Sequence, residues 1–264
     1  MWQWLSDIKR KKILATPFPS AWERQIQNNI PYYLHLNHEE KKRLQNLIQI
    51  FIAEKSWLGC NGLELTDEIR VMVAVHACLL ILALPNDYYR NVESIYIYPT
   101  TIFSPESSPG FFEVHTAPVQ GAMPILGEAH HRGPVLLVWD EVKRETRDPE
   151  HGHNVVFHEF AHKLDMLDGS ADGTPLLPTP EEYQRWSEVC SKEYLELCER
   201  VEHGRPTFFD SYAATDEAEF FAVVTETFFC KPENMKHQHP KLYQVLQDFY
   251  RQDPAQKVST NRLP

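Results

Sequence analysis

One short segment in the second half of the chain places the strongest constraint on the fold. Residues 154–165 read NVVFHEFAHKLD, in which His158 and His162 are four positions apart and Glu159 follows the first histidine. On an α-helix, residues four apart lie one above the other on the same face. A fold that uses this pattern must provide a helix here and a second element that faces the two imidazoles.

The residue types in this segment are those of a zinc-binding HExxH motif. Two neutral imidazoles one helical turn apart can bind the same Zn²⁺, and the neighbouring Glu159 can reach a zinc-bound water without being a ligand itself. Apolar neighbours such as Phe160 and Leu164 would bury the helix beside the metal. The segment therefore predicts a zinc site in which His158 and His162 are ligands and Glu159 acts on water.

Two histidines do not complete a zinc site, so a third protein ligand is required. Asp168, six residues beyond His162, stands where a metzincin-type pattern places a ligand. That pattern needs a glycine three residues after His162 to end the helix, and this chain has Asp165 there. Asp165 is itself a candidate for a carboxylate that orients a ligand imidazole by accepting a hydrogen bond from its other nitrogen. The alternative is an ordinary carboxylate at the end of the helix.

A second acidic segment, residues 210–229 (DSYAATDEAEFFAVVTETFF), offers two other candidates for the third ligand. Glu219 lies 57 residues after His162, which is far enough for a second helix to return to the first. Glu226, seven residues further on and on a similar helical face, is the competing acid. The spacing favours Glu219, although Asp216 and Glu219 also have capping-box spacing, so Glu219 could simply close the helix N-terminus.

The order of predicted elements indicates an α+β fold, because helices come first, then short strands, then helices again. The strand predictions rest on short β-branched and aromatic runs, and the helix predictions on apolar periodicity and capping residues. The predicted strands are Ser94–Tyr98, Gly110–Val114 and Val135–Trp139; the predicted helices are Asn37–Lys55, Thr66–Leu84, Asn154–Leu167, Pro180–His203, Asp216–Cys230 and Pro240–Gln252.

Charge and cysteine content narrow the partners and the compartment. The formal net charge of −11 disfavours binding of nucleic acid or of an acidic membrane surface. The longest apolar run, Val71–Leu84, is shorter than the roughly 18 residues that span a bilayer, and the N-terminus lacks the features of a signal peptide. Five scattered cysteines without a CxxC pair predict free thiols and a cytoplasmic location.

No linker divides the chain, so we expect a single catalytic domain over residues 21–264. Its first part, about residues 21–90, would form an N-terminal helical layer. Residues 1–20 contain Pro17 and Pro19 and are expected to form a flexible N-terminal arm.

The two acidic and histidine-containing segments together resemble a known family, the Mlc titration factor A family of cytoplasmic zinc peptidases. The likeness extends to a YIYP strand upstream, to VLLVWDEV before the HExxH motif and to FYRQDP near the C-terminus. It implies a zincin-like catalytic core with a small mixed sheet, an active-site helix and surrounding helices. It also implies a gluzincin site with one Zn²⁺ per chain, His158, His162 and Glu219 as ligands, and Glu159 as general base.

The resemblance adds two further residues to the expected site. The family site is similar to that of the lethal-factor-type toxin peptidases, where a tyrosine seven residues before the glutamate ligand faces the metal. Tyr212 holds that position and could donate a hydrogen bond to the oxyanion, the alternative being a packing aromatic in a loop. His115 matches a histidine that can approach the zinc as a fourth ligand and keep the enzyme latent; otherwise it is a cleft histidine.

These residues imply hydrolysis of peptide bonds, and the resemblance favours aminopeptidase action on small peptide substrates. The family name also records binding of the transcriptional repressor Mlc, which controls glucose uptake. A rival interpretation is therefore a mainly non-catalytic repressor-binding protein whose zinc is secondary. A purely structural zinc is a third option, although structural sites are usually closed by cysteine and histidine and no cysteine adjoins this motif.

Overall fold

A computed structural model describes residues 2–85, 89–100, 133–148 and 151–260. The fold is α+β, as predicted: helices surround one small sheet. The predicted strand Gly110–Val114 and His115 lie outside the described residues. The helices are α1 (Trp2–Leu14), α2 (Ser20–Asn29), α3 (Pro31–Leu34), α4 (His38–Glu54), α5 (Asp67–Leu80), α6 (Trp139–Arg147), α7 (Val155–Asp165), α8 (Pro180–Glu202), α9 (Glu217–Cys230), α10 (Pro232–Gln238), α11 (Pro240–Tyr250) and α12 (Pro254–Thr260).

The sheet contains β1 (Ser56–Gly59), β2 (Ser94–Tyr98) and β3 (Val135–Val138), in that spatial order. Both described pairings are parallel, so the mixed character expected of the sheet is not observed among these residues. β2 has the predicted bounds. The prediction for β3 is wrong at its end, because Trp139 already belongs to α6. β1 was not predicted, since its sequence SWLG is only four residues long and does not alternate apolar and polar side chains.

The predicted N-terminus of α4 is confirmed in detail. The Asn37 side chain accepts a hydrogen bond from the Glu40 N–H (2.9 Å), and the Glu40 carboxylate accepts one from the Asn37 N–H (3.0 Å). This reciprocal pair is a capping box. The prediction for α5 is too long at its C-terminus: the helix ends at Leu80, and i→i+3 hydrogen bonds carry the chain in turns to Leu84, which precedes a proline that disfavours helical backbone.

The segment expected as an N-terminal arm is helical over Trp2–Leu14 and contacts the helical layer. Arg10 donates two hydrogen bonds to the Glu54 carboxylate, each 2.8 Å long. The Gln49 side-chain amide donates to the Thr16 carbonyl (2.9 Å). These contacts connect Arg10 and Thr16 to α4, and the division of the chain into an arm and a single domain stays a prediction.

The core places α7 between the N-terminal helical layer and α9. On one face of α7, the fully buried Phe160 packs edge-on against Phe51 of α4 and against Tyr89, with ring centroids 5.6 and 4.8 Å apart. α5 is buried along most of its length, as its almost uniformly apolar sequence requires. None of the described helices combines the length and the apolar character that a membrane crossing needs. The remaining face of α7 points toward α9 and carries the two histidines.

Candidate metal centre

Three groups outside the helix backbone fix the first turn of α7. The Asn154 side chain accepts a hydrogen bond from the Phe157 N–H (2.9 Å). The Asn154 N–H donates to Glu226 (2.5 Å), and the Val155 N–H donates to Glu145 (2.6 Å). Since the first N–H groups of a helix have no partner within the helix, these acceptors stabilise the N-terminus and its position.

The structure brings His158, His162 and Glu219 together. The two Nε2 atoms are 3.2 Å apart, and Glu219 Oε2 lies 3.0 Å from His158 Nε2 and 3.4 Å from His162 Nε2. One ligand atom from each residue falls within 4.8 Å of the others, which is the separation of a shared ion site. Glu219 reaches this point from the first turn of α9, where the Asp216 side chain caps its backbone N–H (2.9 Å). Its carboxylate faces the imidazoles.

The chemistry of these groups fits a cation. His158 Nδ1 lies 2.8 Å from Glu226 Oε1, and an ionised carboxylate can only accept, so Nδ1 carries the hydrogen. In a neutral imidazole, Nε2 then presents a lone pair, and it faces the buried Glu219 oxygen at 3.0 Å. Two acceptors at this distance repel each other unless a proton or a metal ion lies between them. Two imidazoles and a carboxylate are a donor set that suits Zn²⁺.

The pKa shifts of Glu219 and His158 also favour a positive charge in the cluster. Burial raises the pKa of the Glu219 carboxyl, but hydrogen bonds from His158 and His162 more than offset this, so the net pKa is lowered. Burial lowers the pKa of His158, whereas hydrogen bonds to Glu219 and Glu226 raise it well above its ordinary value. The carboxylates therefore hold a positive charge at this point, whether it is a proton or a metal ion.

Glu226 is the other acid that the sequence offers as a third ligand. It lies at the Nδ1 side of the His158 ring, whereas Glu219 lies at the Nε2 side. Because Glu219 and Glu226 are two helical turns apart on the same face of α9, they meet the two nitrogens of one imidazole ring, at 3.0 and 2.8 Å. A carboxylate in this position fixes the ring orientation and raises the basicity of the ligand nitrogen. His162 Nδ1, by contrast, is buried and has no hydrogen-bond partner among the described residues.

Two other acids near the motif, Asp165 and Asp168, accept hydrogen bonds from the segment that follows α7. Asp165 is fully buried and accepts a hydrogen bond from the Gly173 N–H (3.0 Å), which joins the end of α7 to the following segment. Asp168 is exposed and accepts from the Ser170 N–H (2.9 Å) within its own turn. Glu145 was not identified from the sequence, since no local pattern sets it apart from the other acids of α6.

Tyr212 lies beside the cluster, in a 3₁₀ turn (Ser211–Ala214) in which its own N–H donates to the Asp210 side chain (2.8 Å). Its ring centroid is 6.1 Å from that of His158. Burial raises the pKa of the Tyr212 hydroxyl, and the charges of Glu219 and Glu159 raise it further, so the group stays a protonated donor at neutral pH. Glu159 itself is half-buried, next to His158.

Comparison with known proteins gives consistent matches over nearly the whole chain. A family model described as glucose-regulated metallo-peptidase M90 matches residues 5–251. An uncharacterized protein of Synechocystis sp. is 38% identical over 253 residues, which cover 95% of this chain and 90% of the relative. Proteins named Mlc titration factor A are similar as well: that of Klebsiella pneumoniae (strain 342) is 31% identical over 99% of this chain and 95% of its own length, and that of Serratia proteamaculans is 30% identical over 97% and 94%.

Proposed function

Because this chain belongs to the glucose-regulated metallopeptidase M90 family, we propose that it is a zinc-dependent peptidase with His158, His162 and Glu219 as zinc ligands. The family implies a metal, and the donor set suits zinc. The observation that carries the proposal is the convergence of two Nε2 atoms and one carboxylate oxygen, brought from α7 and α9 to within 4.8 Å of one another.

The residues around the proposed zinc site have different roles in peptide hydrolysis. Zn²⁺, when bound, supplies a Lewis acid that polarises the scissile carbonyl and lowers the pKa of a water molecule. Glu159 accepts the proton of the attacking water and delivers it to the leaving amine. Tyr212 keeps its hydroxyl proton at neutral pH and donates a hydrogen bond to the developing oxyanion. Glu226 holds the His158 ring in position from behind.

The role of Glu159 is tested by the substitution Glu159→Gln. The variant should keep one zinc per chain and lose hydrolysis by at least about 10²-fold, because the amide cannot accept the proton. Zinc content is measured on the purified protein, and hydrolysis with a chromogenic amino-acid anilide with and without chelator. Glu181→Gln, on the exposed first turn of α8, is the matched control. Wild-type rates in Glu159→Gln would show that the base is another group.

Aminopeptidase-like action on small peptides is proposed as the substrate preference, on the family resemblance. The comparison of an amino-acid anilide with the same anilide blocked at its amino group tests it. We expect cleavage only of the anilide whose amino group is free. Equal cleavage of both anilides would indicate endopeptidase activity instead.

The second candidate function is binding of the repressor Mlc, and the names of the relatives favour it. In this case the chain would act as a regulator of the glucose phosphotransferase system in the cytoplasm, through its surface. The double variant His158→Ala/His162→Ala separates the two functions, since it removes the zinc ligands and leaves the surface. Capture of the repressor by this variant, with hydrolysis abolished, would make repressor binding independent of the zinc site.

His115, for which the described residues give no geometry, is proposed as a fourth ligand that holds the site latent. A fourth protein ligand would occupy the position that water needs. His115→Ala should therefore raise the rate of anilide hydrolysis. An unchanged or lower rate would remove the latency proposal and leave the zinc site as it is.

A further inference from the structure

A cavity of about 460 Å³ lies at the N-terminal end of α7, between the helical layer and the C-terminus of α9. None of the three candidate zinc ligands lines it. It borders the groups that fix α7, because Asn154 and Glu145 both form part of its wall. Its volume falls within the range of small-molecule sites in proteins.

One side of the cavity is apolar and includes two buried hydroxyl oxygens. Phe157, Phe229 and Leu79 supply the apolar surface. The hydroxyl oxygens of Tyr32 and Thr146 are buried and have no hydrogen-bond partner within the described part of the chain. Because a buried hydroxyl without a partner is costly, these two groups are suited to a polar ligand in the cavity.

Three charged side chains line the cavity: Lys231, Glu145 and Glu233. Lys231 is half-buried in its wall, and its ammonium has no ion-pair partner among the residues that the structure describes. The side chain runs past Gly152, where an added Cβ would be 2.9 Å from Lys231 Nζ, so the glycine leaves room for it. Burial raises the pKa of the Glu145 carboxyl to about 7, and the charge of Glu226 adds to this, so a cation beside Glu145 would be stabilised there.

We infer that this cavity binds a free amino acid with an apolar side chain. The carboxylate of the ligand pairs with Lys231, its ammonium with Glu145, and its side chain contacts Phe157 and Phe229. The hydroxyls of Tyr32 and Thr146 complete the hydrogen bonds of the polar end. A zwitterion offers an opposite charge to Lys231 and to Glu145 at once, whereas a simple amine leaves Lys231, and a simple acid leaves Glu145, without an opposite charge from the ligand. The site does not depend on hydrolytic activity.

Isothermal titration of the purified full-length protein tests the ligand class. L-Leucine should bind with saturation at one site per chain. Isoamylamine, which lacks the carboxylate, and 4-methylpentanoate, which lacks the ammonium, should each bind at least about tenfold more weakly. Absence of leucine binding, or equal binding of either analogue, would overturn the inference.

Two variants then assign the binding to this cavity. Lys231→Met and Thr146→Val should weaken leucine binding, the first by at least about tenfold, while anilide hydrolysis continues. Lys192→Met, on the exposed face of α8, is the matched control and should bind leucine as the wild type does. Thermal melting checks that each variant is folded. Unchanged leucine binding in Lys231→Met would mean that leucine binds elsewhere, for example at the metal centre. This result would refute the assignment of leucine binding to the cavity, whether or not the protein hydrolyses peptides.

Discussion

The two helices that carry the candidate ligands are held by different kinds of contact. α9 begins with Asp216, which caps the N–H of Glu219 only three residues away. α7 has a similar local cap in Asn154, but its first N–H groups also donate to Glu145 and to Glu226, the latter 72 residues from Asn154 in sequence. The first turn of α9 is thus held by a local cap, whereas the first turn of α7 is held by a local cap and by tertiary contacts as well.

The difference shows how the site is assembled. α9 contacts the His158 ring through both nitrogens, with Glu219 on one side and Glu226 on the other. One helix therefore supplies a ligand and also orients a ligand of its neighbour. Changes in α9 should act on the metal centre in two ways, and changes around α7 mainly through the position of a whole helix.

The largest effect is expected from Glu219→Ala. Removal of one of three protein ligands should abolish stoichiometric zinc binding and lower anilide hydrolysis by at least about 10³-fold. Metal analysis of the purified variant and the anilide assay measure both effects. Glu217→Ala, an exposed neighbour in the same turn, serves as control. Retention of zinc by Glu219→Ala would mean that α9 does not supply the third ligand.

Glu145→Gln tests the tertiary contacts at the start of α7. Because the folded-state pKa of Glu145 is raised from 4.5 to about 7, the protein loses stability as pH rises between these values. The loss is complete above pH 7 and amounts to at most about 3 kcal/mol. The amide oxygen of glutamine can still accept from Val155, so the variant should be more stable than wild type at pH 8 and gain little at pH 4.5. Chemical denaturation of the metal-free proteins at both pH values measures this.

If Glu145→Gln stabilised the protein equally at both pH values, or destabilised it at pH 8, the folded structure would not raise the pKa of the Glu145 carboxyl. Glu141→Gln, in the first turn of α6, is the control for a change of net charge on the same helix.

Glu226→Gln probes the contact that joins α9 to the back of His158. An amide in place of the carboxylate should weaken zinc affinity by about 10- to 100-fold, the usual cost of losing such a partner. Competition with a chromophoric chelator measures the affinity. The variant should still bind zinc, in contrast to Glu219→Ala. Complete loss of zinc would show that Glu226 is itself a ligand.

These contrasts also explain what could be predicted from the sequence. The HExxH spacing, the Asp216 cap and the capping box of α4 are local patterns, and the structure shows helices at all three. Glu219 and Glu226 could not be separated by spacing, because residues seven apart share a helical face. Their different positions relative to His158 arise from the packing of α9 on α7, and the same holds for Glu145. β1 was missed because its pairing with β2 is formed by residues 38 positions apart, Ser56 and Ser94.

The smallest effect is expected from Asp216→Ala, which removes the local cap of α9. Loss of an N-cap side chain costs about 1 kcal/mol of folding stability. Since Glu219 lies in the capped turn, fraying there should also weaken zinc affinity, but less than Glu226→Gln does. Asp216→Asn keeps the acceptor oxygen and should restore both properties, which separates the hydrogen bond from the charge. If Asp216→Ala weakened zinc binding more than Glu226→Gln, the local turn rather than the packing of α9 would be the main determinant of the site.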